Sequence, residues 1–235
     1  MDKDLLLRIA EALERLAPAV DHSPMPDAPA FVWQAGQLAV AQGFRPVALD
    51  LLAGVASQKA AVLENSQRLA AGHAAHDILL WGARGSGKSA LVKSTSVAVQ
   101  AGGKSLRLVE VSCDDLDSLP DLFALLASDM RPAIVFIDDI GFEQADPRMR
   151  HIRSVLDGGL AARPAHVRLY VTANRRHIVP RNLEEQASAI NPRDVVDDNL
   201  ALADRFGLSL GFHTCTQEDW LDMVAGYARH LGLSF

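Results

Sequence analysis

The sequence predicts an α/β protein built on a parallel five-stranded sheet sandwiched by helices. From Asp77 onwards, strand-like apolar runs alternate with helix-like runs, which is the pattern of a parallel sheet with helices on both faces. The mainly apolar runs AIVFI and VRLYV suit central strands that are buried on both faces. The predicted strands are 78–82, 106–112, 133–138, 167–173 and 208–213, and the predicted helices are 88–101, 119–128 and 147–158.

Two segments precede this alternation. Residues 4–17 predict an amphipathic helix with Leu5, Ile9 and Leu13 on one stripe, which packs either on its own domain or, as an arm, on a neighbouring subunit. Residues 18–30 contain four prolines and predict a linker. We therefore divide the chain into an N-terminal helical arm at 1–17, the linker at 18–30, a core at 31–214 and a C-terminal helical segment at 215–235.

Composition limits the class of protein and its compartment. A chain of 235 residues with 49% hydrophobic residues is enough for one large α/β domain with appendages. The net charge of −6 argues against a surface built wholly for nucleic acid, while a local basic patch stays possible. The two cysteines lie far apart, the amino terminus lacks a signal-peptide pattern, and no apolar run is long enough to span a bilayer. We therefore expect a cytoplasmic protein without a membrane partner.

The stretch ILLWGARGSGKS, residues 78–89, organises the predicted site. Gly82, Gly87, Lys88 and Ser89 match the phosphate-binding pattern G-x-x-x-x-G-K-[ST], between an apolar strand and a helix-forming run. Glycines let successive backbone N–H groups turn toward phosphate oxygens, and the dipole of the following helix favours an anion. We expect Lys88 on the β- and γ-phosphates of a nucleoside triphosphate and the Ser89 hydroxyl on Mg²⁺. The predicted phosphate loop comprises Gly82, Ala83, Arg84, Gly85, Ser86, Gly87, Lys88, Ser89 and Ala90.

The segment upstream of this loop, residues 31–72, predicts a loop around 43–46 and a helix from about 57 to 71. Just before that helix, residues 49–55 (LDLLAGV) form an apolar turn. In many P-loop ATPases a segment at this place packs on the adenine. The turn equally suits ordinary packing at the start of a helix.

A second group of candidate residues follows the apolar run IVFI. Asp138 comes at the carboxyl end of this predicted strand, where open α/β sheets bind their ligands. We expect Asp138 to hold Mg²⁺, through water or together with Ser89, as a Walker B aspartate does. Asp139 stands where many such ATPases carry a glutamate that orients the attacking water. Because aspartate is one methylene shorter, Glu143 is the alternative for that role.

Two further residues are candidates for the site because of their positions in the predicted fold. Asn174 ends a strand that should lie between the P-loop strand and the Asp138 strand. There it either positions the water or touches the γ-phosphate, the role called sensor 1; the alternative is that it caps a turn. Arg205 precedes the last predicted strand. It is either an arginine finger that reaches the nucleotide of an adjacent subunit or one partner of a salt bridge.

Taken together, GARGSGKSALVK, FIDDIGFE, SVLDGGLAARP, TANRRH and LADRFGLSLGF resemble the bacterial P-loop ATPases of domain-of-unknown-function family 815, from about Phe31 to the end. That family is a branch of the AAA+ class. The resemblance implies an AAA+-like core, ATP rather than GTP, ring-like assembly as a homo-oligomer, sensor 1 at Asn174 and a finger at Arg205 that acts in trans. The doubled aspartate belongs to the family's own pattern. The family continues into a helical lid with a sensor 2 arginine, and only the start of this lid, residues 217–233, is visible here, so the lid is either truncated or reduced.

Two functions of different classes fit these features. The first is an ATP hydrolase coupled to an unknown client or assembly, in which Lys88 and Mg²⁺ offset phosphate charge while Asp139 or Glu143 positions the water. The second is a nucleotide-gated interaction module, similar to a helicase loader, that binds a partner or DNA with little turnover. Nine of the eighteen arginines lie between residues 148 and 193, and they form either a basic face for DNA or helix surfaces and a subunit interface.

Overall fold

The computed structural model describes residues 25–140, 163–174 and 204–233, together with Arg8, Ile152, Arg153, Val155, Leu156 and Gly158. The predicted N-terminal helix, apart from Arg8, lies outside the described residues, as do Glu143 and most of the predicted helix 147–158. Across the part of the chain that is described, no helix has both the length and the apolar character needed to cross a membrane.

The described residues form a seven-stranded sheet flanked by α-helices. The strands are β1 (Ala30–Gln34), β2 (Gln37–Val40), β3 (Ile78–Gly82), β4 (Arg107–Val111), β5 (Ala133–Ile140), β6 (Val167–Asn174) and β7 (Leu208–Phe212). The helices are α1 (Ala56–Ala70), α2 (Lys88–Ala101), α3 (Leu119–Ala127) and α4 (Gln217–His230). Short 3-10 turns occupy Leu49–Leu51 and Cys113–Ser118.

The strand order is β2-β1-β4-β5-β6-β3-β7, and every neighbouring pair is parallel except the β1–β2 hairpin. The five predicted strands are present as β3 to β7, and β6 lies between β3 and β5 as predicted. The predicted number of strands is wrong, because β1 and β2 extend the sheet beyond β4 to give seven. All the parallel strands end at one edge, so this edge collects the residues that follow β3, β5 and β6.

The additional strands form a hairpin with a two-residue loop, Ala35 and Gly36. Both loop residues have positive φ, 50° and 74° respectively, which is the backbone of a type I′ turn. The Ala35 N–H donates to Asp115 Oδ1 at 3.0 Å, so the loop is held on the 3-10 turn at the carboxyl edge of the sheet. An Ala-Gly pair between apolar runs is a weak hairpin signal, because Asn or Asp normally fills the first position.

Helices cover both faces of the sheet. On one face, α1 and α2 bury Val62, Leu69, Leu91, Val92 and Val99 against β3, β5 and β6. On the other face, α3 buries its apolar stripe against alternate residues of the same strands. Because β5 and β6 are covered on both sides, each contains a run of consecutive apolar residues, AIVFI in β5 and LYV in β6, instead of a strict alternation.

A buried polar network joins α1 to the centre of the sheet. Tyr170, which is fully buried on β6, lies 2.9 Å from Ser66 Oγ and 3.0 Å from Asn65 Nδ2 through its hydroxyl oxygen. Asn65 also exchanges two hydrogen bonds with the backbone of His76, just before β3. These contacts fix α1 relative to the strand that leads into the P-loop.

A second polar cluster lies at the amino end of β4. The side chain of Arg107 is 4% exposed and pairs with Asp129 Oδ2 at 2.7 Å. It also donates to the Pro26 carbonyl at 3.2 Å and stacks over the ring of Phe31. Asp129 in turn accepts hydrogen bonds from Arg131. The cluster therefore anchors the segment that leads into β1 to the loop between α3 and β5.

Candidate nucleotide-binding site

The loop from Gly82 to Ser89 connects β3 to α2 at the carboxyl edge of the sheet. Gly82 has φ 142°, and a Cβ built on it would lie 2.1 Å from the Phe212 carbonyl oxygen of β7. Only glycine fits there, because the two strands approach backbone to backbone. Gly87 is the N-cap of α2 with φ 88°, a conformation that lets the loop turn directly into the helix. The amino end of α2 thus faces the site with the N–H groups that favour an anion.

Lys88 reaches back across the loop from the first turn of α2. Its Nζ donates to the carbonyl oxygens of Gly82 at 3.2 Å and Ala83 at 2.8 Å. Burial lowers the pKa of Lys88 below its ordinary value, while the negative charges of Asp139 and Asp138 oppose that shift. The ammonium group is therefore held by neutral carbonyls and by carboxylates that favour its charged form. A phosphate oxygen would be a stronger partner than either carbonyl.

Asp138 collects hydroxyl donors from two other elements. Ser89 Oγ on α2 and Thr172 Oγ1 on β6 each donate to Asp138 Oδ1, both at 2.6 Å. Asp138 is half-buried, and Thr172 is 1% exposed. Thr172 was not among the residues predicted from the sequence. The available signal was a threonine two residues before Asn174, on the strand face that also carries Tyr170.

Asp139 lies at a break in the regular pairing of β5. The β5–β6 register shifts between Ile137 and Ile140, and Asp139 has φ 55°. In a regular strand, residues 137 and 139 would share one face, whereas the extra residue places Ile140 in the same hydrophobic core as Ile137. The bulge therefore leaves Asp139 exposed beside the P-loop instead of burying it.

Asn174 connects Asp139 to Lys88. Its Nδ2 group donates to Asp139 Oδ1, and its Oδ1 lies 3.5 Å from Lys88 Nζ. The amide thus presents its donor to a carboxylate and its acceptor to an ammonium, which fixes the orientation of the side chain. The structure brings together five of the predicted site residues: Lys88, Ser89, Asp138, Asp139 and Asn174.

Arg205 lies far from this group within the same chain. It precedes β7, and the N–H of Leu208 donates to the Asp77 carbonyl at 3.2 Å, which places this end of β7 beside the start of β3. The P-loop follows the opposite end of β3. Arg205 is exposed on its end of the sheet. A role for Arg205 in catalysis therefore requires the nucleotide of another subunit.

The segment predicted upstream of the P-loop packs against the last described helix. Residues 49–51 form a 3-10 turn, Asp219 of α4 lies next to Gly54, and Leu51 faces Gly226. The start of α4 is fixed by a capping box in which Thr216 and Asp219 exchange hydrogen bonds. Neither element contacts the phosphate loop through a hydrogen bond among the described residues.

A family model described as "Protein of unknown function (DUF815)" matches residues 26–235. The chain belongs to the DUF815 family. This agrees with the resemblance found in the sequence strings, and the matched region contains every residue of the candidate site. No curated protein matches the chain.

Solved structures give the fold of this DUF815 chain. It is similar to the structure of a mutant of Thermotoga maritima RuvB, with a TM-score of 0.50 and 19% sequence identity, over 81% of this chain and 56% of that one. A second RuvB structure from the same organism, described as a Holliday junction branch migration motor, has a TM-score of 0.49 at 20% identity. The DUF815 chain spans only about half the length of these structures. At 19% identity, the likeness to the mutant shows the fold alone.

The donor set at the site suits Mg²⁺. A hydroxyl and a carboxylate, Ser89 Oγ and Asp138 Oδ1, are hard oxygen ligands placed together at the foot of the P-loop. Among the described residues no group of three or more His, Cys, Asp or Glu side chains is arranged to hold a metal ion by itself. Mg²⁺ typically takes one or two protein oxygens and completes its shell with phosphate and water. The residues present therefore fit a metal that arrives with a nucleotide.

Proposed function

We propose that the chain binds Mg-ATP at the Gly82–Ser89 loop and hydrolyses the γ-phosphate. The observation that supports this best is the contact chain at the sheet edge, in which Lys88, Asn174 and Asp139 are linked, and Ser89 and Asp138 are linked beside them. These five residues lie on two strands and one helix that meet at this edge, so each group is fixed before any ligand binds.

The proposed roles follow from the contacts. Lys88 exchanges its carbonyl partners for the β- and γ-phosphate oxygens and offsets their charge. Ser89 and Asp138 would hold Mg²⁺, which supplies charge neutralisation at the phosphates. Asp139, exposed on the bulge, accepts a hydrogen bond from the attacking water, and Asn174 orients Asp139. Glu143 stays the alternative acceptor; it lies outside the described residues.

We further propose that the active form is a homo-oligomer in which Arg205 acts on the neighbour's nucleotide. The position of Arg205 at the opposite sheet edge from its own P-loop supports an action in trans over one in cis. An arginine that reaches the transferring phosphate contributes about a thousandfold or more to turnover. Cytoplasmic localisation, the arm, the linker and the lid stay predictions.

The test is phosphate release from Mg-ATP over a wide range of protein concentration. Lys88→Ala should abolish release, and Arg205→Ala should lower it about a thousandfold while ATP binding persists. Lys104→Ala and Arg45→Ala are matched controls, since both residues are exposed and lie outside the site. Turnover per subunit that is independent of concentration, or unaffected by Arg205→Ala, contradicts the action in trans.

The nucleotide-gated module is the alternative that the same assay separates. ATP binding with turnover no higher than in Lys88→Ala across all concentrations would favour it. Its DNA-binding form gains little from two of the described arginines of the 148–193 stretch. Arg163 donates to Asp77 at 2.6 Å, and Arg168 donates to the Ala75 carbonyl, so these two serve the domain's own structure.

A further inference from the structure

The threonine at position 172 contacts both carboxylate residues of the candidate site. Its hydroxyl donates to Asp138 Oδ1 at 2.6 Å and accepts the backbone N–H of Asp139 at 2.8 Å. One hydroxyl group therefore donates a hydrogen bond to the predicted metal ligand and accepts one from the backbone of the predicted water-orienting residue. Thr172 belongs to β6, whereas both aspartates belong to β5.

The first contact fixes the direction of the Asp138 carboxylate. Ser89 from α2 and Thr172 from β6 approach the same oxygen, Oδ1, from two different elements. A carboxylate held by two hydroxyl donors has little rotational freedom, so it is already directed when a metal arrives. Without Thr172, Ser89 alone would orient it, and Ser89 is itself a proposed metal ligand.

The second contact stabilises an unfavourable backbone. Asp139 has φ 55°, a left-handed conformation that residues with a Cβ seldom adopt unless their surroundings hold them there. The bond from its N–H to Thr172 closes the bulge, and Asn174 holds the side chain of Asp139 from the same strand. Thr172 therefore determines where the Asp139 carboxylate lies relative to the P-loop.

We infer that Thr172 is a positioning residue that sets the metal-binding carboxylate of Asp138 and the water-orienting carboxylate of Asp139 through a single hydroxyl group. This inference rests on the proposed function and goes beyond it, because it assigns a role to a residue outside the phosphate loop and the aspartate pair. The competing explanation is that Thr172 is a buried strand residue whose hydroxyl merely needs partners. That explanation predicts an effect on stability but none on Mg²⁺ dependence.

The test uses the full chain with Thr172→Val, which keeps the shape and removes the hydroxyl, and Thr172→Ser, which keeps the hydroxyl. Thr95→Val is the matched control, because Thr95 is fully buried on α2 and its hydroxyl has no hydrogen-bond partner among the described residues. For each protein, ATP affinity is measured with Mg²⁺ and with EDTA, together with kcat, the Mg²⁺ concentration at half-maximal turnover and the thermal midpoint.

In Thr172→Val we expect kcat to fall by about tenfold to a hundredfold, the loss typical of a hydrogen bond to a charged group. The Mg²⁺ concentration for half-maximal turnover should rise, while ATP affinity in EDTA stays within about twofold of wild type because the phosphate loop is unchanged. Thr172→Ser should restore most of kcat and of the Mg²⁺ response, and Thr95→Val should match wild type. If Thr172→Val does not fold, Thr172→Cys, with a thiol that is a weak donor, takes its place with the same expectation.

Two results overturn the inference. One is a Thr172→Val protein whose kcat and Mg²⁺ response equal those of Thr95→Val; the other is a lowered thermal midpoint with no change in Mg²⁺ response. Failure of the proposed function looks different, since wild type itself would then release no phosphate above the Lys88→Ala level. In that case the Mg²⁺ dependence of ATP binding still tests the role of Thr172. If wild type binds ATP equally well with Mg²⁺ and with EDTA, the inference about Thr172 is refuted.

Discussion

Replacing Tyr170 by phenylalanine removes one hydroxyl from a buried network whose donors and acceptors can be assigned. Ser66 donates its only hydroxyl proton to the Val62 carbonyl at 2.7 Å, so Tyr170 must donate to Ser66 Oγ. The phenol oxygen in turn accepts from Asn65 Nδ2. In Tyr170→Phe the Asn65 amide keeps one partner and loses the other at a site that is 3% exposed. Leaving a buried donor unsatisfied lowers the free energy of unfolding by about 1–3 kcal/mol.

The same network predicts a pH dependence. Burial raises the pKa of Tyr170 to about 12, from 10.0 in the unfolded chain, although its hydrogen bonds with Ser66 and Asn65 partly oppose this. Since the folded state holds the phenol proton more tightly, the stabilisation is complete below pH 10 and is lost as the pH rises from about 10 to about 12. The full loss is about 3 kcal/mol, and about half of it is reached at pH 11.

Urea-induced unfolding followed by circular dichroism at pH 7 and pH 11 tests both statements. The free energy of unfolding of wild type should exceed that of Tyr170→Phe by about 1–3 kcal/mol at pH 7, and this difference should shrink by about 1 kcal/mol at pH 11. Tyr227→Phe, at a tyrosine that is 38% exposed on α4, is the matched control and should follow wild type at both pH values. A difference that stays constant with pH, or a Tyr170→Phe protein as stable as wild type at pH 7, refutes the assigned network.

Four other substitutions are checked by thermal and urea denaturation. Ala35→Gly should raise the free energy of unfolding by about 0.5–1 kcal/mol, because φ is 50° at this turn position, whereas Gly36→Ala should lower it. Asp129→Asn should lower it by about 3 kcal/mol, since the guanidinium of Arg107, 4% exposed, loses its charged partner. Gly82→Ala should lower it by about 3 kcal/mol or more and abolish ATP binding, because the new Cβ would overlap the neighbouring strand.

Each of these predictions has a result that contradicts it. Destabilisation by Ala35→Gly would mean that the hairpin loop is not held at positive φ. An Asp129→Asn protein within about 1 kcal/mol of wild type would mean that the ion pair is exchanged for other contacts. For Gly82→Ala, Gly102→Ala is the matched control. Gly102 has a negative φ, and a Cβ built on it would lie 3.3 Å from the nearest atom, the Val99 carbonyl oxygen. Equal behaviour of these two variants would refute the close approach of β3 and β7.

Much of the fold and part of the site follow from the sequence, because local patterns specify them. The apolar runs of β3 to β7 are long enough to mark buried strands, and the glycine spacing of the phosphate loop reflects backbone needs that arise within a few residues. The hairpin of β1 and β2 was missed because its Ala-Gly turn lacks the usual residue and its pairing with β4 joins segments far apart in the chain.

The tertiary structure alone decided which residues of neighbouring strands contact each other. An aspartate pair after an apolar run does not reveal a bulge, since the shift between Ile137 and Ile140 arises from pairing with β6. Thr172 meets Asp138 only because β6 lies next to β5, and Arg205 is separated from its own P-loop only because β7 runs parallel to β3. The residue types at this site are thus local properties of the chain, whereas their distances are set by strand order and register, which depend on packing across the whole sheet.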